Sequence, residues 1–216
     1  MFTPRSVADV GCGIGTWLRP FKELVPGVKI MGLDGEYNRD RLLIEPGEFI
    51  GCDLEERLPE FPSKFDLAMT LEVAEHLSPE RGTSFVSDLV RLSDVVLFSA
   101  AWPGQGGTEH INEQWHEYWV KLFADEGYIP LDCLRPRIMN EGLIELWYRV
   151  NTLLFVSESA LRNMRCFEWT DWRTLQERYH HYLADSGMFF HRHARKIAAL
   201  DHSAFLTSLK RLFKRF

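Results

Sequence analysis

The sequence predicts an α/β fold, a doubly wound and mostly parallel sheet of seven strands followed by a helical C-terminal extension. Three observations carry that expectation. Through the first 150 residues, short apolar runs alternate with stretches of helical spacing, which is how crossover helices between parallel strands are written. A glycine-rich turn, Gly11-Cys12-Gly13-Ile14-Gly15, separates the first apolar run from the first helical stretch. After Ser157 the composition shifts to helix formers, aromatics and basic residues.

In chain order, strands are expected at Ser6 to Val10, Val28 to Leu33, Glu48 to Cys52, Phe65 to Thr70, Val95 to Ala100, Tyr128 to Leu134 and the β-branched and aromatic run Thr152 to Val156. Helical spacing covers Thr16 to Leu24. It returns over Pro79 to Leu92, where Phe85, Leu89 and Leu92 share a face and Ser78 is placed to cap the helix ahead of Pro79. Trp115 to Glu126 reads as a third helix, ended by Gly127. The expected division is therefore a domain over 1–157 and a helical, basic extension over 158–216.

Composition narrows the function classes. With 216 residues, 45% of them apolar and 26% charged, the chain has the make-up of one globular domain with an appendage. Cys12, Cys52, Cys133 and Cys166 form no C-x-x-C pair, so neither a zinc cage nor a disulfide framework is expected. Residues 1–150 carry 14 Lys and Arg against 25 Asp and Glu, while residues 151–216 carry 11 against 6. An acidic body argues against nucleic acid as a partner, because phosphate neutralisation needs a basic face. No uncharged stretch reaches the roughly 18 apolar residues of a membrane span, and Met1 to Val10 holds no apolar signal core, so a cytoplasmic location is expected.

The turn Asp9-Val10-Gly11-Cys12-Gly13-Ile14-Gly15-Thr16 is the strongest signal. Glycines at a strand-to-helix turn let a ligand lie against the main chain where a Cβ would clash. The dinucleotide fingerprint needs its third glycine at position 16, which is Thr16, and this disfavours a nicotinamide-dependent oxidoreductase. Asp34 closes the second expected strand and Asp53 the third, and Leu71-Glu72-Val73-Ala74-Glu75-His76-Leu77 follows the fourth.

This set resembles the class I S-adenosylmethionine-dependent methyltransferases, whose sheet is Rossmann-like, and bacterial methyltransferase-like proteins of unassigned substrate in particular. The latter share runs similar to Leu71 to His76 and to Gly106-Gly107-Thr108-Glu109-His110-Ile111-Asn112-Glu113-Gln114-Trp115. The resemblance covers Val7 to about Val156. It implies S-adenosylmethionine as cofactor, with Asp9, Gly11, Cys12, Gly13 and Gly15 forming the turn beneath it. Asp34, followed by Gly35, would accept from the ribose hydroxyls, Asp53 would meet the adenine amino group with Leu54 against the ring, and Leu71, Glu72 and His76 would line the methionine side. It also implies methyl transfer to an oxygen or nitrogen of a small-molecule acceptor, with a saccharide or glycolipid precursor as the guess, against the alternative of a non-catalytic scaffold. Family members carry helices ahead of the first strand that cover the cofactor. Only Met1 to Arg5 precede it here, so the alternatives are a lid that is missing or shortened, one supplied by a partner, or one supplied by the C-terminal segment.

His110 follows the fifth strand at the ligand-binding edge of the sheet, and an imidazole there can take the acceptor's proton as a general base. Glu72, Glu75 and His76 match no H-E-x-x-H pattern, so no metal is expected. In the tail, Ile197, Leu200, Phe205, Leu209, Leu212 and Phe213 mix with Lys210, Arg211, Lys214 and Arg215. The expectation is a basic amphipathic helix for subunit or membrane-surface contact, with a homo-oligomer as one form of it. His180, His181, His191, His193 and His202 are expected on surfaces or in packing.

Overall fold

The computed structural model describes residues 3–163. Seven strands, β1 (Ser6–Val10), β2 (Lys29–Asp34), β3 (Phe49–Gly51), β4 (Leu67–Leu71), β5 (Val95–Ser99), β6 (Tyr128–Leu131) and β7 (Leu153–Ser157), form one sheet in the order β3-β2-β1-β4-β5-β7-β6. The first five pair in parallel, and β7 runs antiparallel to both β5 and β6. The helices are α1 (Leu18–Leu24), α2 (Arg81–Leu92), α3 (His116–Asp125), α4 (Arg135–Ile138), α5 (Leu146–Asn151) and α6 (Glu158–Asn163).

Both faces of the sheet are covered, which is why its central strands are apolar throughout; all five residues of β4 are buried. Val7, Leu67 and Met69 point to one face and pack with Leu18 and Phe21 of α1. Ala8, Ala68 and Phe98 point to the other, against Phe85 and Leu89 of α2 and Trp119 and Phe123 of α3. There the rings of Phe123 and Phe155 stack at 3.8 Å. Each such side chain contributes about 1.5–3 kcal/mol through burial.

Element boundaries differ from the sequence expectation in informative ways. Helix α2 starts at Arg81 and Ser78 does not cap it: the Ser78 amide and hydroxyl both donate to the Glu55 carboxylate, at 2.7 and 2.8 Å. Strand β6 stops at Leu131, short of the expected Leu134, because Asp132 turns its carboxylate to Arg135 at 2.8 Å, and the short helices α4 and α5 follow where the sequence reading placed no element. Strand β3 ends at Gly51, two residues before Asp53. No helix among the described residues is long and apolar enough to cross a membrane. Beyond α6, the expected helical extension, its basic amphipathic end and the tail histidines lie outside the described residues.

Candidate functional site

The chain leaves β1 toward β2 on one side of the sheet, while β4 lies on the other, so the loops after β1 and β4 part and open a crevice at the carboxyl ends of the strands. A cavity of about 880 Å³ occupies it. Its walls come from the turn after β1, from Asp34 to Asn38 after β2, from Gly51 to Glu55 around the end of β3, and from the turn after β4.

Gly11, Gly13 and Gly15 adopt φ of 79°, 55° and 87°, a region open to glycine at little cost. Packing adds a second constraint at two of them. A Cβ on Gly11 would stand 2.3 Å from Val73 Cγ2, and one on Gly15 would stand 2.9 Å from Ile44. Around Gly13 nothing lies within 4 Å of that position. The turn is anchored to β2 by the Gly11 amide, which donates to the Leu33 carbonyl at 2.8 Å.

Asp34, the last residue of β2, organises the next wall. Its Oδ2 accepts from the Gly13 amide at 2.7 Å, and its Oδ1 accepts from the Gly35 amide (2.6 Å), Asn38 Nδ2 (3.1 Å) and the Tyr37 hydroxyl (3.2 Å). Tyr37 is otherwise exposed, and its ring passes over Gly35, where a Cβ would come within 2.0 Å of it. A vicinal diol entering the cavity can replace that hydroxyl as donor to Oδ1. Asp53 accepts from the Glu55 amide at 3.0 Å, and the following Leu54 is held by its carbonyl, which accepts from Arg81 Nε at 2.9 Å.

After β4 the backbone departs from ordinary geometry. Glu72 has a φ of 56°, strain that persists because its surroundings fix it. Its amide donates to Ser99, and its carboxylate accepts from Gln105 Nε2 at 2.8 Å and Asn151 Nδ2 at 3.0 Å. Three distant segments thus meet at one side chain. The next turn carries Glu75 and His76. Glu75 is fully buried with no hydrogen-bond partner at either carboxylate oxygen. Burial, then the neighbouring Glu72 charge, pushes its carboxyl up to about 9 against the pull of the nearby Glu75 and Ala101 amides. The His76 and His110 rings meet edge to face, with centroids 4.9 Å apart. His110 Nδ1 lies 2.9 Å from the Glu113 carboxylate, and His76 Nδ1 lies 3.3 Å from the Glu109 carbonyl.

Of the residues singled out from sequence, Gly11, Gly13, Asp34, Gly35, Asp53, Leu54, Glu72 and His76 line the cavity. Asp9, Cys12, Gly15 and Leu71 stand behind its wall. Cys12 is buried and would meet a Cβ on Gly32 at 2.6 Å; burial, then Asp9 and Asp34, pushes its thiol far up. The buried Asp9 carboxyl is likewise raised well above the carboxylate range, by burial and then by Asp34. His110 sits outside the cavity lining, joined to it through His76. Sequence reading missed Glu36, Tyr37, Glu55 and Glu109. The first two follow Asp34 directly, and a carboxylate run around Asp34 and Asp53 was the available signal. The lining carries six carboxylates and no lysine or arginine.

No protein-family model matches the chain, and no curated protein matches it. Solved structures do share its fold. An O-methyltransferase family protein from Burkholderia thailandensis superposes with a TM-score of 0.52 at 14% identity, over 71% of this chain and 51% of its own. CalO1, a methyltransferase in calicheamicin biosynthesis in its SAH-bound form, gives 0.51 at 19%, over 72% and 49%. The methyltransferase domain of bacterial CtHen1-C gives 0.50 at 21%, over 72% and 90%. The chain spans about half the length of the first two. It has the Rossmann-like, α/β fold of the class I methyltransferases.

Proposed function

We propose that the cavity binds S-adenosylmethionine and that the chain moves its methyl group to an oxygen or nitrogen of a small molecule. The observation that carries this reading is the Asp34 carboxylate closing β2 against the Gly13 amide at the switch point. A carboxylate with two acceptor oxygens there suits a ribose diol, and the positive-φ glycines beside it admit a ligand close to the backbone. The wall chemistry separates two adenosine ligands. Six carboxylates with no cation repel the pyrophosphate of a dinucleotide but favour a sulfonium. The SAH-bound form of CalO1, on the same fold, supports the same choice. A saccharide acceptor gains no support from the described residues.

Methyl transfer asks little covalent chemistry of a protein. The acceptor's lone pair forms the new bond to the methyl carbon as the carbon–sulfur bond breaks, S-adenosylhomocysteine departs, and the acceptor's proton is released. Holding the two reactants in line can supply effective molarities of about 10⁵ M or more.

Isothermal titration of the full-length chain with S-adenosylmethionine should show one site. Asp34→Ala should weaken it about 100-fold, since hydrogen bonds to a charged group contribute about 1.5–3 kcal/mol each. A chain that binds neither S-adenosylmethionine nor S-adenosylhomocysteine, or an Asp34→Ala variant with unchanged affinity, overturns the proposal. Release of S-adenosylhomocysteine across an acceptor library then identifies the nucleophile.

A further inference from the structure

We propose that Glu75, His76 and His110 form a binding site for a divalent cation of the first transition row, with zinc the type of ion it fits. One ligand atom from each residue lies within 4.8 Å of the other two. Bonds of about 2.1 Å in a tetrahedral set place ligand atoms roughly 3.4 Å apart, so the cluster needs to close by little more than an ångström.

Three further features make this a prepared site. Glu75 is fully buried and both of its carboxylate oxygens lack a hydrogen-bond partner. A buried carboxyl group in that condition is one that a cation would compensate. Both imidazoles are already oriented through Nδ1, toward the Glu113 carboxylate at 2.9 Å and the Glu109 carbonyl at 3.3 Å. Since those oxygens only accept, Nδ1 carries the proton and Nε2 keeps a lone pair, the arrangement by which proteins fix a histidine as a ligand. Finally, the backbone holds the two halves together. The amides of Ile111 and Asn112 donate to the Glu75 carbonyl at 2.9 and 3.0 Å.

Two imidazole nitrogens and one carboxylate oxygen suit zinc, or another first-row transition ion, better than calcium or magnesium, which prefer oxygen throughout. His76 is also part of the cavity wall, so an open coordination position would face the cavity. His110, expected from sequence to act as a general base, becomes a ligand in this assignment. The proposal stands on the cluster's own geometry and is independent of the cofactor reading.

Cobalt is the probe. Full-length protein stripped with a chelator and titrated with Co²⁺, without cofactor, should develop visible d–d bands at one equivalent, and Zn²⁺ should displace them. Glu75→Gln and His110→Ala should each weaken binding by more than about 100-fold, and Glu113→Gln, which only loosens His110, by about 10- to 100-fold. Circular dichroism reports whether each variant is folded, and His76→Ala and His110→Ala carry the comparison should Glu75→Gln fail to fold. Absence of cobalt bands in the wild-type protein overturns the proposal. So do bands that persist undiminished in a folded triple variant E75Q/H76A/H110A, since the ion would then sit elsewhere, for example on the five histidines of the tail.

Discussion

The glycines of the turn after β1 look equivalent in sequence, yet their surroundings separate two effects that are usually lost together. At Gly11, alanine would adopt φ near 79° and drive its methyl into Val73, 2.3 Å away. Left-handed backbone costs an ordinary residue about 1–2 kcal/mol, and an overpacked contact about 1–3 kcal/mol more. At Gly13 the same methyl meets nothing within 4 Å and projects into space that the cavity needs. Gly11→Ala should therefore lose about 2–5 kcal/mol in urea unfolding. Gly13→Ala should lose only about 1–2 kcal/mol but weaken S-adenosylmethionine by at least tenfold. Equal stability losses with equal affinities would mean that the turn does not face the ligand as drawn. Asp34 and these glycines were legible in the sequence because each is a local event, a strand end followed by a residue type that only one backbone geometry favours. The meeting of Glu75 with His110 was not legible. It depends on two backbone hydrogen bonds between the turn after β4 and a loop some 35 residues later, and no local pattern encodes such a distance.

Among the elements, α2 does more than cover the sheet. Asp88 is buried on it and receives Arg81 Nη2 and Arg91 Nη2, each at 2.6 Å, together with the Leu58 amide at 3.1 Å. Burial pushes the Asp88 carboxyl up, but these donors outweigh it and hold it below the usual range. Arg81 also donates to the carbonyls of Leu54 and Glu56, at 2.9 and 2.8 Å, so the helix grips the segment that lines the cavity beside Asp53. Removing one partner leaves a buried charge uncompensated, at a cost of about 3–5 kcal/mol, whereas replacing the pair by apolar groups of similar volume is often near neutral. Asp88→Leu should thus be more destabilising than the double variant R81M/D88L in urea unfolding, and the double variant, which removes the donor to the Leu54 carbonyl, should also weaken the cofactor. A double variant that loses the sum of the single losses would show that the two charges are not coupled. Element existence was mostly readable, since Phe85, Leu89 and the central strands follow clean periods. The short helices α4 and α5 were not, because four and six residues are too few to show a helical period. The Ser78 cap failed for another reason: Glu55, 23 residues earlier, competes for its hydroxyl.

At the scale of the whole molecule, the joint between the parallel half of the sheet and its antiparallel edge is set by a neutral histidine. His116 opens α3, is buried, and has no hydrogen-bond partner at Nε2; its side chain shares its surroundings with Arg135 and with Asn151 of α5. Burial first, and then the Arg135 charge, push its imidazole down to about 3, with Asn151 pulling weakly the other way. An unfolded histidine titrates near 6.5. Between those values the unfolded chain binds a proton that the folded chain refuses, so this residue's contribution is fully present above about pH 6.5 and declines as pH falls toward 3. Asp88 acts in the same direction at lower pH, and the raised Asp9 and Glu75 carboxyls act oppositely, so the difference from a His116 variant, in which all three cancel, isolates the histidine. The unfolding free energy of the wild-type protein minus that of His116→Gln, measured in urea, should be nearly constant above pH 7 and shrink by about 1 kcal/mol between pH 6 and pH 5. A flat difference across that window would mean that the folded protein protonates His116 as readily as the unfolded chain does. The packing of α3 and α5 beside Glu72 would then need another source of rigidity, since Asn151 reaches from this joint to the Glu72 carboxylate at 3.0 Å.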